Sequence, residues 1–322
     1  MNRPIRPFGL PREPLGFFPT PLHPLPRLSA HLGGPRLWIK RDDLTGFALG
    51  GNKVRKLEFF LGEARATGAD VLLTAGGQQS NHARVTAAAA ARAGLDCVLV
   101  LSGTPPAAWT DNLALDRLFG ATVRFVATGP ERMPALQALA EELRTAGRRP
   151  LVIPIGGSTP LGALGYVEAA REVALQLEAL GVRPAAIVHS SSSGGTQAGL
   201  LVGGRAAGFP PRVIGVSADE KRADLAGMVA GIVGPLAERV GVPPPPPEAV
   251  EVLDEYVGEG YGVPTPASEE AARLFARLEG IPLDATYGAK AAAGLIDLIR
   301  RGAFRADEAV CFWHTGGATW RQ

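Results

Sequence analysis

The sequence predicts an α/β protein built from parallel βαβ units, and three observations carry that prediction. Between about residues 70 and 155, apolar runs of strand length alternate with stretches of helical periodicity. That is the pattern of strands joined by crossover helices. Farther on, the apolar run Ala185-Ala186-Ile187-Val188 leads into a hydroxyl- and glycine-rich turn and then a helical stretch, again a buried parallel strand followed by a helix. Finally, the 322 residues are 46% hydrophobic and 20% charged, ordinary for a soluble globular chain and long enough for two domains.

The elements follow in order. Residues 1–36 are rich in proline and read as an extended arm with little regular structure. A strand at 37–41 leads toward a helix that opens beside Lys53. Strands are expected at 71–75, 97–101, 122–126 and 151–155, with helices near 82–93, 110–119 and 132–146 between them. An amphipathic helix over 162–181 carries Leu164, Val167, Val173 and Leu177 at helix-compatible spacing. Strands at 185–189 and 212–216 come next, and the five-proline run at 243–247 is a stiff connector that cannot be helical. Helices at 268–279 and 288–301 and a strand at 310–313 complete the chain, with no repeat of solenoid length.

Bulk properties narrow the function. A net charge of +2 gives no general affinity for polyanions, so no nucleic-acid partner is expected. Cys97 and Cys311 lie in apolar strand-like runs and read as buried free thiols, compatible with a reducing cytoplasm. No apolar stretch reaches about 18 residues. The start Met1-Asn2-Arg3-Pro4-Ile5-Arg6-Pro7 is too proline-rich for a signal peptide. A cytoplasmic protein without a membrane partner is expected. The five histidines show no metal-ligand spacing, so no structural metal is expected.

Lys53 is the most informative residue. In Phe47-Ala48-Leu49-Gly50-Gly51-Asn52-Lys53, two glycines and an asparagine lead straight into it. At a helix N-terminus the positive end of the dipole disfavours an ammonium by about 0.3–1 kcal/mol. That favours the free amine, which attacks aldehydes. Two readings stand open: a Schiff-base lysine, or a surface lysine beside a turn. Gly46 and Gly51 are spaced like P-loop glycines, but Asn52 intervenes before the lysine and Val54 follows it, so no hydroxyl is placed for magnesium.

The run His189-Ser190-Ser191-Ser192-Ser193-Gly194-Gly195-Thr196-Gln197 is the second feature. Strand, glycine-rich turn and helix together make a phosphate cradle, with Ser192, Ser193 and Thr196 as hydroxyl donors and Gly194 and Gly195 allowing close approach. The alternative is a flexible Ser/Gly loop. An imine-forming lysine and a phosphate cradle without a P-loop suggest a phosphorylated aldehyde, and pyridoxal phosphate fits that description. A third stretch, Gly76-Gly77-Gln78-Gln79-Ser80-Asn81-His82, ends a strand and opens an alanine-rich helix. Ser80 and Asn81 are good helix caps there. They are equally placed to receive a substrate carboxylate, and the two readings are compatible.

At this point the chain resembles the pyridoxal-phosphate enzymes of the tryptophan-synthase-β type, and within them the D-cysteine desulfhydrase and aminocyclopropane-carboxylate deaminase family. The resemblance rests on Ile39-Lys40-Arg41-Asp42-Asp43-Leu44-Thr45-Gly46, Gly50-Gly51-Asn52-Lys53-Val54-Arg55-Lys56, Gln79-Ser80-Asn81-His82, Gly156-Gly157-Ser158, Leu161-Gly162-Ala163-Leu164-Gly165-Tyr166, the loop at 190–199, Tyr261-Gly262-Val263-Pro264, Asp284-Ala285-Thr286-Tyr287-Gly288-Ala289-Lys290 and His314-Thr315-Gly316-Gly317, in family order. It implies two open twisted α/β domains. Residues 1–57 and 158–322 would form the larger, cofactor-binding one, and 58–157 an inserted smaller one, with the cofactor in the cleft and a homodimer as the assembly.

The resemblance also implies roles. Lys53 would bond the cofactor and move the α-proton, Asn52 would fix the loop, and Asn81 would reach the cofactor's ring oxygen. Ser80, with the Gln79 and Asn81 backbone, would contact the substrate carboxylate, and Tyr261 and Tyr287 align with active-site tyrosines. Thr315 would face the pyridine nitrogen. The deaminase branch has leucine there and a glutamate after the second tyrosine. This chain has Thr315 and Gly288, which resembles the desulfhydrase branch, although that branch usually has threonine at the second position. His82 and His314 read as core or cap residues. The implied reaction is elimination from D-cysteine to pyruvate, hydrogen sulfide and ammonia. Cysteate sulfo-lyase, D-serine-type deaminase and aminocyclopropane-carboxylate deaminase are the alternatives within the family. A serine hydrolase using Ser80 is disfavoured because no G-x-S-x-G elbow surrounds it, and a two-lobed amino-acid sensor would have no need of Lys53.

Overall fold

A computed structural model describes residues 7–317. In chain order the elements are β1 (Leu22–Pro24), α1 (Pro26–Leu32), β2 (Arg36–Arg41), α2 (Lys53–Thr67), β3 (Val71–Gly77), α3 (Asn81–Ala93), β4 (Asp96–Ser102), α4 (Asp111–Leu118), β5 (Thr122–Val126), α5 (Arg132–Thr145), β6 (Pro150–Ile153), α6 (Pro160–Ala179), β7 (Ala186–Ser191), α7 (Gly195–Ala206), β8 (Arg212–Ser217), α8 (Arg222–Val240), β9 (Glu251–Leu253), α9 (Pro266–Leu274), α10 (Gly288–Arg300) and β10 (Ala309–His314). They divide between two compact units, Met1–Gly16 with Lys53–Gly165 and Phe17–Asn52 with Tyr166–Gln322.

The first unit holds a four-stranded sheet in the order β5-β4-β3-β6. All its pairings are parallel, with Val71 opposite both Asp96 and Pro150. Val71, Leu73 and Ala75 of β3 pack with Val100 and with Leu136, Leu139 and Ala140 of α5. The alternate side chains of a strand point to opposite faces, so these three odd-numbered residues share one. α3 lies against β3 and β4. Its alanines are small enough for close helix–sheet approach, and Ala87, Ala89 and Ala90 are fully buried. Close approach also fixes Gly165, where any Cβ would collide with the Arg55 carbonyl oxygen.

The second unit holds a six-stranded sheet in the order β1-β2-β10-β7-β8-β9, parallel except for β1 against β2. Its core gathers Ile39, Val188, Ile214, Val310 and Phe312 of the strands with α10 and Phe275, whose ring centroid stands 5.1 Å from that of Phe312. Buried charges here are paired, as their desolvation demands. Asp42 accepts from Tyr166 Oη at 2.6 Å, Trp313 Nε1 at 2.9 Å and Thr20 Oγ1 at 2.9 Å. Lys40 donates to Glu172, to the Thr20 carbonyl at 2.7 Å and to Gln176 Oε1 at 2.6 Å.

The alternating strands and helices lie where periodicity places them, within a few residues. The expected featureless arm needs correction. Its first six residues lie outside the described ones, but Leu22–Pro24 pairs with β2 and Pro26–Leu32 is helical. Pro26 at the first helical turn and left-handed Gly33 just past the end are the signals for α1. Helix α8 occupies a stretch where the sequence suggests no element. Pro235 inside it and glycines at 227, 231 and 234 mask it, yet buried Leu225, Val229, Ile232 and Leu236 have helical spacing. The helix expected over 268–279 opens earlier, at a Thr265–Ser268 capping box, and its last turn is a π-helix, Phe275–Glu279. Both cysteines are buried free thiols, as expected. Among the described residues, no helix is long and apolar enough to cross a membrane.

Candidate active site

Within the second unit, the turn after β2 is wound left-handed. Ala48, Leu49, Gly50 and Gly51 have φ of 45°, 64°, 71° and 106°. For Ala48 and Leu49 that costs about 1–2 kcal/mol each. The turn is held by Gly50 N–H donating to the Phe47 carbonyl and Gly51 N–H to the Asp42 carbonyl, both at 2.8 Å. Gly51 is required twice over, by its φ and because a Cβ would lie 3.1 Å from the Thr315 carbonyl oxygen. Asn52 then donates its N–H to that Thr315 oxygen at 2.8 Å and its Nδ2 to Thr196 Oγ1 at 3.1 Å. Three of the expected site positions, 52, 196 and 315, therefore meet at one place, and Asn52 is more than a turn residue.

Thr196 belongs to the opening of α7. Gly194 caps this helix in the left-handed conformation (φ 78°, ψ −25°) and brings no side chain to its first N–H groups. The first backbone bond of the helix is Ala198 N–H to the Gly194 carbonyl at 3.0 Å. Gly195 N–H donates to the Ser193 carbonyl at 3.0 Å, and the Thr196 and Gln197 N–H groups lie at the end of the axis where an anion is favoured. Behind them the Ser190 and Ser191 hydroxyl oxygens are buried without a hydrogen-bond partner among the described residues. Ser192 and Ser193, in the turn itself, are half-buried.

The tyrosines also come together. Tyr261 Oη and Tyr287 Oη are 2.7 Å apart, with the rings edge to face at 5.8 Å. Burial, and then the Tyr261 hydroxyl, push the Tyr287 phenol well above its ordinary pKa, so it stays protonated. Each tyrosine sits on an anchored loop. Asp284 accepts from the N–H groups of Thr286 (3.1 Å), Tyr287 (2.8 Å) and Gly288 (2.8 Å). Lys290 donates to the carbonyls of Ala218 (3.0 Å), Val257 (2.7 Å) and Gly260 (2.7 Å), the last one residue before Tyr261. Gly288 opens α10, and a Cβ there would stand 3.0 Å from Asp284 Oδ1. His314 is a core residue: Gly316 N–H donates to its Nδ1 at 3.2 Å. Its Nε2–H is thereby left to donate to the Pro282 carbonyl at 3.1 Å.

In the first unit, Lys53 is the first residue of α2. Lys56, one turn on, is fully buried and donates to the Gly156 carbonyl and Ser158 Oγ, both at 3.0 Å. Burial, and then the Lys53 charge, hold its ammonium well below the ordinary lysine range. His82 is buried with Nε2 at 2.9 Å from Thr74 Oγ1. Burial first, and then Lys53 and Lys56, push its pKa well below 6.5. Ser80 is the N-cap of α3, its Oγ accepting from Ala83 N–H at 3.2 Å. Unlike Gly194 of α7, then, the N-cap residue of α3 puts its own side chain on the first turn.

Gln79 and Asn81 flank Ser80 and are tied to two residues that sequence reasoning missed. Asn112 donates its N–H to Gln79 Oε1 at 3.0 Å, and its Nδ2 to the Gln79 carbonyl at 2.8 Å and to Asn81 Oδ1 at 3.0 Å. Arg84 Nη1 donates to Asn81 Oδ1 and Asn112 Oδ1, both at 2.8 Å. Lys56 had a signal, the three-residue spacing that puts it on the face of Lys53. Arg84 and Asn112 had none, being joined only by the fold.

Comparison with known proteins places this geometry. Residues 14–316 match the family model described as pyridoxal-phosphate dependent enzyme. D-Cysteine desulfhydrase of Salmonella newport is 44% identical over 318 residues, 96% of this chain and 94% of that protein. The Salmonella typhimurium protein of the same name is 44% identical over 93% of this chain and 92% of its own length. The crystal structure of an ACC deaminase homologue superposes with a TM-score of 0.88 at 40% identity, covering 95% of this chain and 92% of that one. A fungal L-serine ammonia-lyase from Rhizomucor miehei, at 21% identity and a TM-score of 0.67 over 93% of both chains, shares the fold. A strained turn ending at a lysine, a glycine-capped helix behind a serine–glycine loop and a family match over residues 14–316 lead to one conclusion: the chain belongs to the pyridoxal-phosphate-dependent enzymes.

Proposed function

We propose that the chain catalyses α,β-elimination from D-cysteine, consuming water and releasing pyruvate, hydrogen sulfide and ammonia. The observation that carries the substrate is the 44% identity to D-cysteine desulfhydrases over 96% of the chain. The residues fit the cofactor independently of that likeness. The glycine-capped start of α7 and the orphaned Ser190 and Ser191 hydroxyls support a phosphate seat there. Ser192, Ser193, Gly194, Gly195 and Thr196 would line it, and Asn52 would orient Thr196.

Pyridoxal phosphate, when bound, supplies an electron sink for the pair left on an amino acid's α-carbon when its proton departs. Lys53 Nζ would hold the cofactor's aldehyde carbon and, once displaced by substrate, take the α-proton. Asn81 would donate to the ring oxygen. Ser80 and the Gln79 and Asn81 backbone would bind the carboxylate. The Tyr261–Tyr287 pair keeps a proton between two oxygens, available to a departing thiolate. Thr315 would meet the pyridine nitrogen with a neutral hydroxyl. That is a weaker aid to the sink than a carboxylate, and it suffices for a good leaving group such as thiolate.

The likeness to an ACC deaminase homologue favours a second reading, ring opening of aminocyclopropane carboxylate. Thr315 and Gly288 weigh against it, since neither brings a carboxylate. A cytoplasmic location is supported by the two free thiols. A homodimer rests on the resemblance alone. Sulfide from D-cysteine and ketobutyrate from the cyclopropane, assayed side by side, test the reading. Sulfide release alone is expected, abolished with the borohydride-reducible chromophore in Lys53→Ala. Robust ketobutyrate production by the unaltered protein would overturn the substrate.

A further inference from the structure

The Gln79-Ser80-Asn81 turn is held by a small buried network. Arg84 and Asn112 are each 1% exposed and Asp116 is fully buried. Arginine can only donate, so the atoms of Asn81 and Asn112 facing Nη1 must both be oxygens. With its oxygen fixed, Asn112 directs Nδ2 at the Gln79 carbonyl and at Asn81 Oδ1, both acceptors. Asn81 Oδ1 therefore receives two donors, and reversing the amide would set its NH2 group against both. The half-buried Asn81 is left with Nδ2 as the only side-chain group it can offer a ligand. The Asp116 carboxyl has no hydrogen-bond partner among the described residues; burial pushes it up to about 7, and the Arg84 charge beside it acts in the opposite direction.

We propose that Arg84 and Asn112 are positioning residues that lock the Asn81 amide in one orientation, so that whatever atom it meets must be a hydrogen-bond acceptor. This rests on the reading that Asn81 faces the cofactor, and makes that acceptor the ring oxygen. An unlocked amide would spend part of its time presenting Oδ1, repelling that oxygen. The lock removes the wrong orientation before the cofactor arrives.

The test titrates apoprotein with pyridoxal phosphate and follows the dissociation constant and the pH midpoint of the visible band. The variants are Asn81→Ala, Asn112→Ala and their double, with melting of each apoprotein as the check on folding. Asn112→Ala should weaken cofactor binding about three- to tenfold and move the midpoint in the same direction as Asn81→Ala. The double variant should be no worse than Asn81→Ala, because a lock without its amide does nothing. If Asn112→Ala does not fold, Arg84→Lys, which keeps the buried charge opposite Asp116 but loses the planar fork, replaces it with the same expectation. Additive losses, or an unchanged constant and midpoint in the single variant, overturn the lock. If Asn81→Ala itself changes neither readout, the lock falls because Asn81 is not at the cofactor. Lys53→Ala, run in parallel, reports separately on the cofactor assignment.

Discussion

Substituting Gly194 probes the phosphate seat most directly. Its φ of 78° costs an alanine about 1–2 kcal/mol, and a Cβ would lie 3.1 Å from both Val229 Cγ2 and Val229 N and 3.3 Å from Met228 C. Two of those atoms are backbone of α8, which cannot swing aside. Crowding of this kind costs about 1–3 kcal/mol. Gly194→Ala should therefore lose about 2–5 kcal/mol, and for a unit of roughly 200 residues that lowers Tm by about 4–20 °C. Gly194→Asn shares the Cβ but tolerates the left-handed region, so the Ala–Asn difference reads the conformational cost alone. A residue that leaves this region turns the first N–H groups of α7 away from the axis. Affinity for pyridoxal phosphate should fall in the order Gly, Asn, Ala, Val, measured by titrating apoprotein beside its melting curve. Wild-type affinity in Gly194→Val would refute the seat. Sequence alone suggests that a bulky β-branched residue at Gly194 or Gly195 weakens cofactor binding more than stability; the α8 contacts at Gly194 add a stability loss of their own.

Three other outcomes are expected. His82 is held neutral, with its folded pKa below the unfolded value of about 6.5, so its contribution is complete above that pH and is lost as pH falls toward the folded value, by up to about 1.4 kcal/mol per unit; urea unfolding from pH 7 to 5 should show a shallower slope in His82→Gln. Ser80→Ala removes the α3 cap and should cost about 1 kcal/mol, with a separate loss of turnover that outruns it if the hydroxyl also meets substrate. Thr315→Leu with Gly288→Glu should suppress sulfide release from D-cysteine. Part of the loss should appear as lower stability, since the new side chain starts 3.0 Å from Asp284 Oδ1.

Much of this was legible in the sequence because it is local. Parallel strands show as uninterrupted apolar runs such as 97–101, and the α7 cradle shows as a strand ending in serine and glycine. What was illegible is what the fold joins. Nothing near Asn52 announces Thr196 or the Thr315 carbonyl, and nothing near Asn81 announces Asn112. Local signals also failed where they conflicted. In α8, one proline and three glycines outweighed a regular apolar stripe, because burial of that stripe, not propensity, holds the helix. In α1, a proline-rich composition concealed a helix whose own first residue is a proline.

The wound turn before Lys53 has a bearing on biosynthesis. The partners of its last residue are remote: Thr196 is 144 residues from Asn52, and Thr315 lies beyond the last strand. A growing chain that has emerged only through α6 has the local bonds of Gly50 and Gly51 but not those of Asn52 to hold Ala48 and Leu49 in their unfavourable conformation, and the turn is correspondingly freer to relax. The lysine emerges early, but its final setting waits for β10 and the loop that follows. Until then an aldehyde in the cell meets only an ordinary flexible amine. A ribosome-bound chain truncated before β10 should accordingly fail to retain pyridoxal phosphate, even with Lys53 and the whole α7 cradle already translated.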